Sequence, residues 1–161
     1  MQLIRRKDGN PQIVRDWITT RYALTTDQQG ILNTLLESPQ QHVVFPYTRE
    51  NWEVGVYFAM HYMNRKKNIC IITTKPDSVY MWIKQKLDHE RYHFDPMRFH
   101  ITTAGFGIRC TQPNMPLVGL HFDLALIDEQ TSKNPYVLAD YTIRFAHVST
   151  VASNYDIVTG R

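Results

Sequence analysis

The chain has 161 residues, of which 43% are hydrophobic and 20% are charged, and its formal net charge is +3 at neutral pH. This length suits one domain that buries a sizeable core, and the composition excludes a disordered tail. The mild positive charge permits nucleic-acid binding without requiring it. We expect neither a membrane span nor a signal peptide, because no apolar run is long enough and none follows the charges of Met1–Lys7. Two cysteines without metal-site spacing, Cys70 and Cys110, favour reduced thiols in a cytoplasm.

The first half of the chain predicts a basic segment followed by helices that alternate with strands. Residues 1–21 are polar and basic, and we interpret them as an N-terminal arm. A helix capped by Thr25 or Thr26 is predicted to run to Glu37. The elements predicted next are a strand at His42–Phe45, a helix at Trp52–Arg65, a strand at Asn68–Thr74 and a helix from Pro76 to about Glu90.

The second half predicts more strands, and the whole pattern indicates an α/β fold. The predicted elements are a hairpin of Arg98–Thr103 and Gly107–Cys110, a central strand at Asp123–Asp128, helical turns at Asn134–Tyr141 and a strand at Ile143–Thr150. Alternating strands and helices favour a three-layer α/β/α sandwich with a mainly parallel sheet. We expect residues 22–161 to form this single domain.

A continuous apolar run, Leu124–Ile127, ends in two adjacent carboxylates, Asp128 and Glu129. Such a run indicates a buried parallel strand, and ligands of open α/β sheets bind outside the carboxyl ends of strands. In an ATPase, Asp128 would there hold Mg²⁺, and Glu129 would orient or deprotonate the attacking water. The pair therefore indicates a nucleotide site.

The order of these pieces resembles the ATPase domain of the large terminase subunit of tailed bacteriophages, a DNA-packaging motor with a RecA-like, helicase-like P-loop fold. The resemblance covers residues 22–154 and begins at Tyr22–Gln29, which is similar to the segment in which a glutamine reads adenine. It is closest at Val118–Glu129, where a glycine and polar residues precede the Walker B strand. It ends at Val148–Ser153, which resembles the Ser/Thr-rich coupling segment of the family.

The phosphate loop departs from the family's pattern. A Walker A motif needs glycines to wrap the phosphates, a lysine to neutralise them and a hydroxyl to hold Mg²⁺. Aligned with the family, its Gly-Lys-Thr falls on Glu50, Asn51 and Trp52 of this chain. Glu50 and Glu53 would then face a triphosphate, and each like-charge pair at about 4 Å costs about 4 kcal/mol before screening. We therefore expect a degenerate Walker A motif.

The resemblance implies a set of site residues, although the altered loop weakens their use. The cofactor-binding residues would be Gln28, Arg49 and Asn51. Only in an active protein would Asp128 hold Mg²⁺ and Glu129 act in catalysis. We expect no firmly bound cofactor, with ATP and Mg²⁺ binding weakly at most.

These features favour a degenerate, terminase-like viral protein, a pseudo-ATPase that acts as a binding module in phage DNA packaging or DNA metabolism. Its expected setting is the cytoplasm of an infected bacterium, and its expected partner is a packaging or replication protein, or DNA, and not a membrane. No nuclease domain is expected after the coupling segment. The candidate DNA contacts are the basic residues of the arm: Arg5, Arg6, Lys7, Arg15 and Arg21.

Other interpretations of the same residues stay open. One is a functional ATPase or DNA translocase that uses Asp128 and Glu129 with an unusual or partner-completed phosphate loop. Another is the ATPase-like piece of a longer motor. In addition, His89 and His93 match a zinc-protease pattern that requires both on one helix face, but no third ligand is evident and Pro96 soon ends the helix.

Overall fold

A computed structural model describes residues 2–5, 10–38, 42–44, 48–112, 122–127 and 157–159. The helices in these ranges are α1 (Pro11–Arg21), α2 (Thr26–Glu37), α3 (Arg49–Asn64) and α4 (Pro76–Lys86). The strands are β1 (Gln2–Arg5), β2 (His42–Val44), β3 (Ile69–Ile72), β4 (His93–Asp95), β5 (His100–Thr103), β6 (Phe106–Thr111), β7 (Leu124–Ile127) and β8 (Ile157–Thr159). The α/β class predicted from the sequence is confirmed.

One mixed sheet joins the eight described strands in the order β4-β5-β6-β3-β7-β1-β2-β8. β3 pairs in parallel with β6 and β7, and β2 pairs in parallel with β8. β1 and β5 run antiparallel to both of their neighbours. Six of these strands therefore point one way, yet four of the seven described pairs are antiparallel. The sheet is less parallel than predicted because β1 and β5 are inserted against the common direction.

The hydrophobic core lies on one face of this sheet. Side chains alternate along a strand, and Ile69 and Ile71 of β3 join Leu124 and Leu126 of β7 in a cluster that includes residues of all four described helices. α3 lies across β3, β6 and β7, α4 lies across β5 and β6, and α1 and α2 pack on α3. The described residues do not include a helical layer on the opposite face, although Cys70 there is fully buried.

Local capping sets where the helices begin. α2 begins after the N-cap Thr25, and Pro76 lies in the first turn of α4, both as predicted. α3 begins three residues before the predicted Trp52, because the hydroxyl of Thr48 accepts the N–H of Asn51 at 3.1 Å and caps the helix there. Within the described ranges, no helix has the length and hydropathy needed to cross a bilayer.

The N-terminal residues belong to the folded body, which differs from the predicted arm over residues 1–21. β1 lies between β7 and β2, and its Leu3 is fully buried. α1 buries Val14 and Ile18 against the core cluster. The high charge of this segment hid the few apolar residues that it buries, Leu3, Val14 and Ile18, whereas Ile13 of the same segment is 53% exposed.

The β5–β6 hairpin was predicted and is confirmed, with Ala104 and Gly105 at its turn in the left-handed region (φ 50° and 85°). The short strands β4 and β8 were not predicted. The predicted helical turns at Asn134–Tyr141 and the strand at Ile143–Thr150 lie outside the described residues.

Gly107 of β6 provides a test of this hairpin. A Cβ at this position would collide with the backbone carbonyl of Ile101 on β5, and backbone cannot move without disturbing the strand pairing. We expect Gly107→Ala to lower the free energy of unfolding by about 2 kcal/mol or more, measured by urea denaturation. Gly30→Ala is the control, because a Cβ there has no atom within 4 Å and should stabilise α2 by up to about 1 kcal/mol. Unchanged stability of Gly107→Ala would contradict the β5–β6 register.

Candidate functional site

The predicted nucleotide site lies at the edge of the sheet where β2 and β7 end. Both strands are antiparallel to β1, so they point the same way. Because β1 lies between them, their ends are two strand spacings, about 10 Å, apart. α3 begins beyond β2, and Asp128 follows β7 in the sequence. Asp128 and Glu129 themselves lie outside the described residues.

The start of α3 is occupied by the protein's own groups. The hydroxyl of Thr48 accepts the N–H of Asn51, which is one of the predicted cofactor-binding residues. Glu50 lies in the first turn, where its charge complements the helix dipole. A helix N-terminus attracts a phosphate through unbonded amides and positive potential. The cap leaves fewer unbonded amides at this helix start, and the carboxylate of Glu50 reduces its positive potential.

Glu53 joins two of the three predicted cofactor-binding residues. Its Oε2 accepts a hydrogen bond from Gln28 Nε2 at 3.0 Å, and its Oε1 pairs with Arg49 Nε at 3.2 Å. The side chain of Glu53 is 22% exposed, whereas that of Arg49 is 87% exposed. The sequence predicts Glu53 only as a repulsive charge. The i, i+4 spacing of Arg49 and Glu53 is the signal that would have indicated their pairing.

Gln28 is held at both ends of its amide. The side-chain Oε1 accepts the backbone N–H of Thr25, and the backbone N–H of Gln28 donates to the Thr25 hydroxyl, both at 3.1 Å. These two bonds form a capping box, which the spacing of Thr25 and Gln28 encodes directly. Gln28 is only 3% exposed. Little of this amide is therefore accessible to an adenine base.

Two stacked tyrosines, Tyr22 and Tyr57, lie next to the Gln28–Glu53–Arg49 network. The rings of Tyr22 and Tyr57 lie 4.1 Å apart and nearly parallel, and the Tyr22 hydroxyl donates to Met60 Sδ. Burial, with a smaller contribution from Tyr57, raises the pKa of Tyr22 to about 12. Burial and then the carboxylate of Glu53 raise the pKa of Tyr57. Glu53 therefore lies beside aromatic rings as well as beside the charge of Arg49.

Two of the predicted DNA contacts lie on α1 with their side chains engaged. Arg15 donates to the side chain of Asn33 at 3.1 Å, and the guanidinium of Arg21 lies 4.3 Å from the ring centroid of Trp17. The predicted contacts whose side chains are not described are Arg5, Arg6 and Lys7. The structure thus brings Arg15 and Arg21 onto one helix but not into contact with the Gln28–Glu53–Arg49 network.

The zinc-protease alternative requires a helix that the structure does not form. α4 ends at Lys86, His89 lies in a turn and His93 begins β4. The side chain of Asp88 accepts the N–H of Glu90 at 3.0 Å and closes that turn. The two histidines therefore do not share a helix face, and the pattern does not support a metal site.

The chain matches no family model, no curated protein and no solved structure with which it was compared. The likeness to terminases thus stays a prediction from the sequence. What the described residues contain at the predicted site is a capped helix start and the Gln28–Glu53–Arg49 network.

The Gln28–Glu53–Arg49 network gives a stability prediction with an internal control. Glu53→Ala removes the acceptor of a buried amide, so it should lower the free energy of unfolding by about 1–2 kcal/mol. Arg49→Ala removes only an exposed partner and should cost less than about 0.5 kcal/mol. Urea denaturation of both variants measures the difference. Equal losses would mean that the Gln28–Glu53 hydrogen bond contributes nothing beyond the surface pair.

Proposed function

We propose that this chain is a degenerate terminase-like protein, with a RecA-like three-layer fold, that acts by binding and not by ATP hydrolysis in phage DNA packaging or DNA metabolism. The observation that carries the proposal is the occupation of the phosphate-loop position by Thr48, Glu50 and the Gln28–Glu53–Arg49 network. The common direction of β2, β3, β6 and β7 supports the RecA-like part of the proposal.

A triphosphate at the start of α3 would meet two carboxylates and a backbone amide, that of Asn51, that is already hydrogen-bonded to Thr48. It would have to replace the Thr48–Asn51 hydrogen bond, whose net contribution is about 1 kcal/mol. It would also lie beside Glu50 and Glu53, with Arg49 already paired to Glu53. Binding there gains little and loses existing interactions, so a catalytic role is disfavoured.

An active ATPase is the alternative, and one observation favours it. Asp128 and Glu129 directly follow β7 in the sequence, and the end of β7 lies two strand spacings from the end of β2, the strand that precedes α3. A partner that supplied a cation to this edge would bring charge compensation that the chain lacks near Glu50 and Glu53.

Calorimetric titration with ATP and Mg²⁺ separates these two functions. We expect no binding in the low micromolar range, because the amide of Asn51 is capped and Glu53 is held near the phosphate position. If slow hydrolysis is observed, Glu129→Gln should abolish it, and activity that survives in this variant would point to a contaminant or another site. Tight binding of ATP by the isolated chain would overturn the degenerate site.

DNA is the partner that the basic residues favour, and binding should be independent of sequence because the chain has no helix-turn-helix or zinc-finger pattern. Phosphate contacts release counterions, with a log–log salt slope of about −0.9 per contact on duplex DNA. Arg6→Ala combined with Lys7→Ala should therefore flatten the slope by up to about two units. Arg15→Ala should have a smaller effect, because that guanidinium is bonded to Asn33 and Gln12. Salt titrations in which the double variant keeps the wild-type slope would remove these residues from the interface.

A further inference from the structure

A groove of about 430 Å³ opens where β6 ends, beside the first turn of α4. Its volume lies within the range of about 300–1,000 Å³ typical of ligand pockets. β6 is four strand spacings, about 19 Å, from β2 in the sheet order, and none of the described residues that line the groove belongs to α3. The residues that give it its chemistry are Met97, Arg98, Phe99, Arg109, Thr111 and Gln112.

The groove is cationic. Arg98 and Arg109 line it, whereas no Asp or Glu is among the described residues that do. Within the described part of the chain, Arg109 has no carboxylate within ion-pair distance. Arg98 forms a long ion pair with Asp95, with 4.0 Å between Nε and Oδ2, and the Arg98 side chain is 76% exposed. Both guanidinium groups thus have donors available for an anion.

The strand register shows which titratable residues lie beside Arg109 in the sheet. His100 of β5 lies opposite Arg109, and Asp95 of β4 lies opposite His100. Burial and then the charge of Arg109 lower the pKa of His100, with Arg98 and His93 acting in the same direction and Asp95 opposing them. At neutral pH the imidazole is therefore uncharged, and Arg109 provides the positive charge.

The same groove has an apolar side. Met97 is a large hydrophobic residue, yet it is 88% exposed. Phe99 packs on Tyr80 with ring centroids 5.9 Å apart and still lines the groove. Its carbonyl accepts the N–H of Cys110 at 3.0 Å, which holds the turn against β6. A ligand here would meet guanidinium groups and apolar side chains together.

We propose that this groove binds a nucleotide unit of a single-stranded nucleic acid, with Arg98 and Arg109 on the phosphate and Met97 and Phe99 against the base. Guanidinium groups present forked donors that match phosphate oxygens. Unstacked bases of a single strand expose flat faces that apolar and aromatic side chains contact without reading sequence. The inference rests on the proposed function for its choice of nucleic acid as partner, and it adds a second region of contact to that of Arg6 and Lys7.

The test is fluorescence anisotropy of a labelled oligothymidylate at low salt. Arg98→Gln combined with Arg109→Gln should weaken binding about tenfold or more and flatten the salt slope by about 1.4, since each single-strand contact contributes about 0.7. Arg65→Gln combined with Lys66→Gln is the matched control. It removes the same charge from exposed residues at the opposite edge of the sheet and should change affinity less than about twofold.

Each outcome of this comparison decides something. If the groove variant keeps its affinity for the oligonucleotide, or if the control loses as much affinity, the proposal that the groove binds nucleic acid is overturned. Arg98→Gln alone alters an exposed side chain and should show part of the loss, which separates binding from misfolding. Equal affinity for a duplex, for thymidine monophosphate or for polyglutamate overturns the single-strand assignment. If the wild-type chain binds no oligonucleotide at low salt, both proposals fail: nucleic acid is then neither the partner in the proposed function nor the ligand of the groove.

The pKa of His100 provides a second, independent readout by proton NMR. A phosphate beside Arg109 would offset the positive charge that lowers this pKa, so saturation with oligothymidylate should raise it. Arg109→Gln should raise the pKa in the free protein and abolish the further rise on binding. If the strand binds the chain while the pKa of His100 is unchanged, the strand lies elsewhere and only the groove assignment fails.

Discussion

The parallel ladder of β3 with β6 on one side and β7 on the other determines the layout of the rest of the structure. All four residues of β3 are fully buried, so its pairing cannot slip without exposing apolar surface. Because the three strands share a direction, their carboxyl ends share one edge of the sheet. α3 and α4 both begin at that edge, after β2 and β3, and the groove and the start of α3 are therefore two parts of one border.

The charge along this border is divided. Towards β2, the start of α3 carries Glu50 and Glu53, and the sequence adds Asp128 and Glu129 after β7. Towards β6, the groove carries Arg98 and Arg109. Anionic ligands are disfavoured at the first position and attracted to the second. This division of charge is the basis on which we propose a nucleic-acid partner at the groove and no nucleotide hydrolysis at the start of α3.

Glu53 links two helices through ordinary stabilising contacts. Its carboxylate satisfies the buried amide of Gln28, and that amide in turn completes the cap of α2. α2 and α3 are thereby linked by a polar contact beside the stacked rings of Tyr22 and Tyr57. Removing the carboxylate would leave a buried donor without its acceptor, which costs more than the exposed pair with Arg49 contributes.

The sequence by itself determined the features that depend on near neighbours: the cap at Thr25, the first turn at Pro76, the β5–β6 hairpin and the buried strand at Leu124–Ile127. Helix caps, turns and apolar runs act over a few residues, so they can be read locally. Only the tertiary structure decided that β1 is inserted between β7 and β2, that Glu53 accepts from Gln28, and that Arg98 and Arg109 line one groove. Strand order and contacts between distant residues follow from packing the whole sheet, where a few apolar residues such as Leu3 outweigh the charges around them.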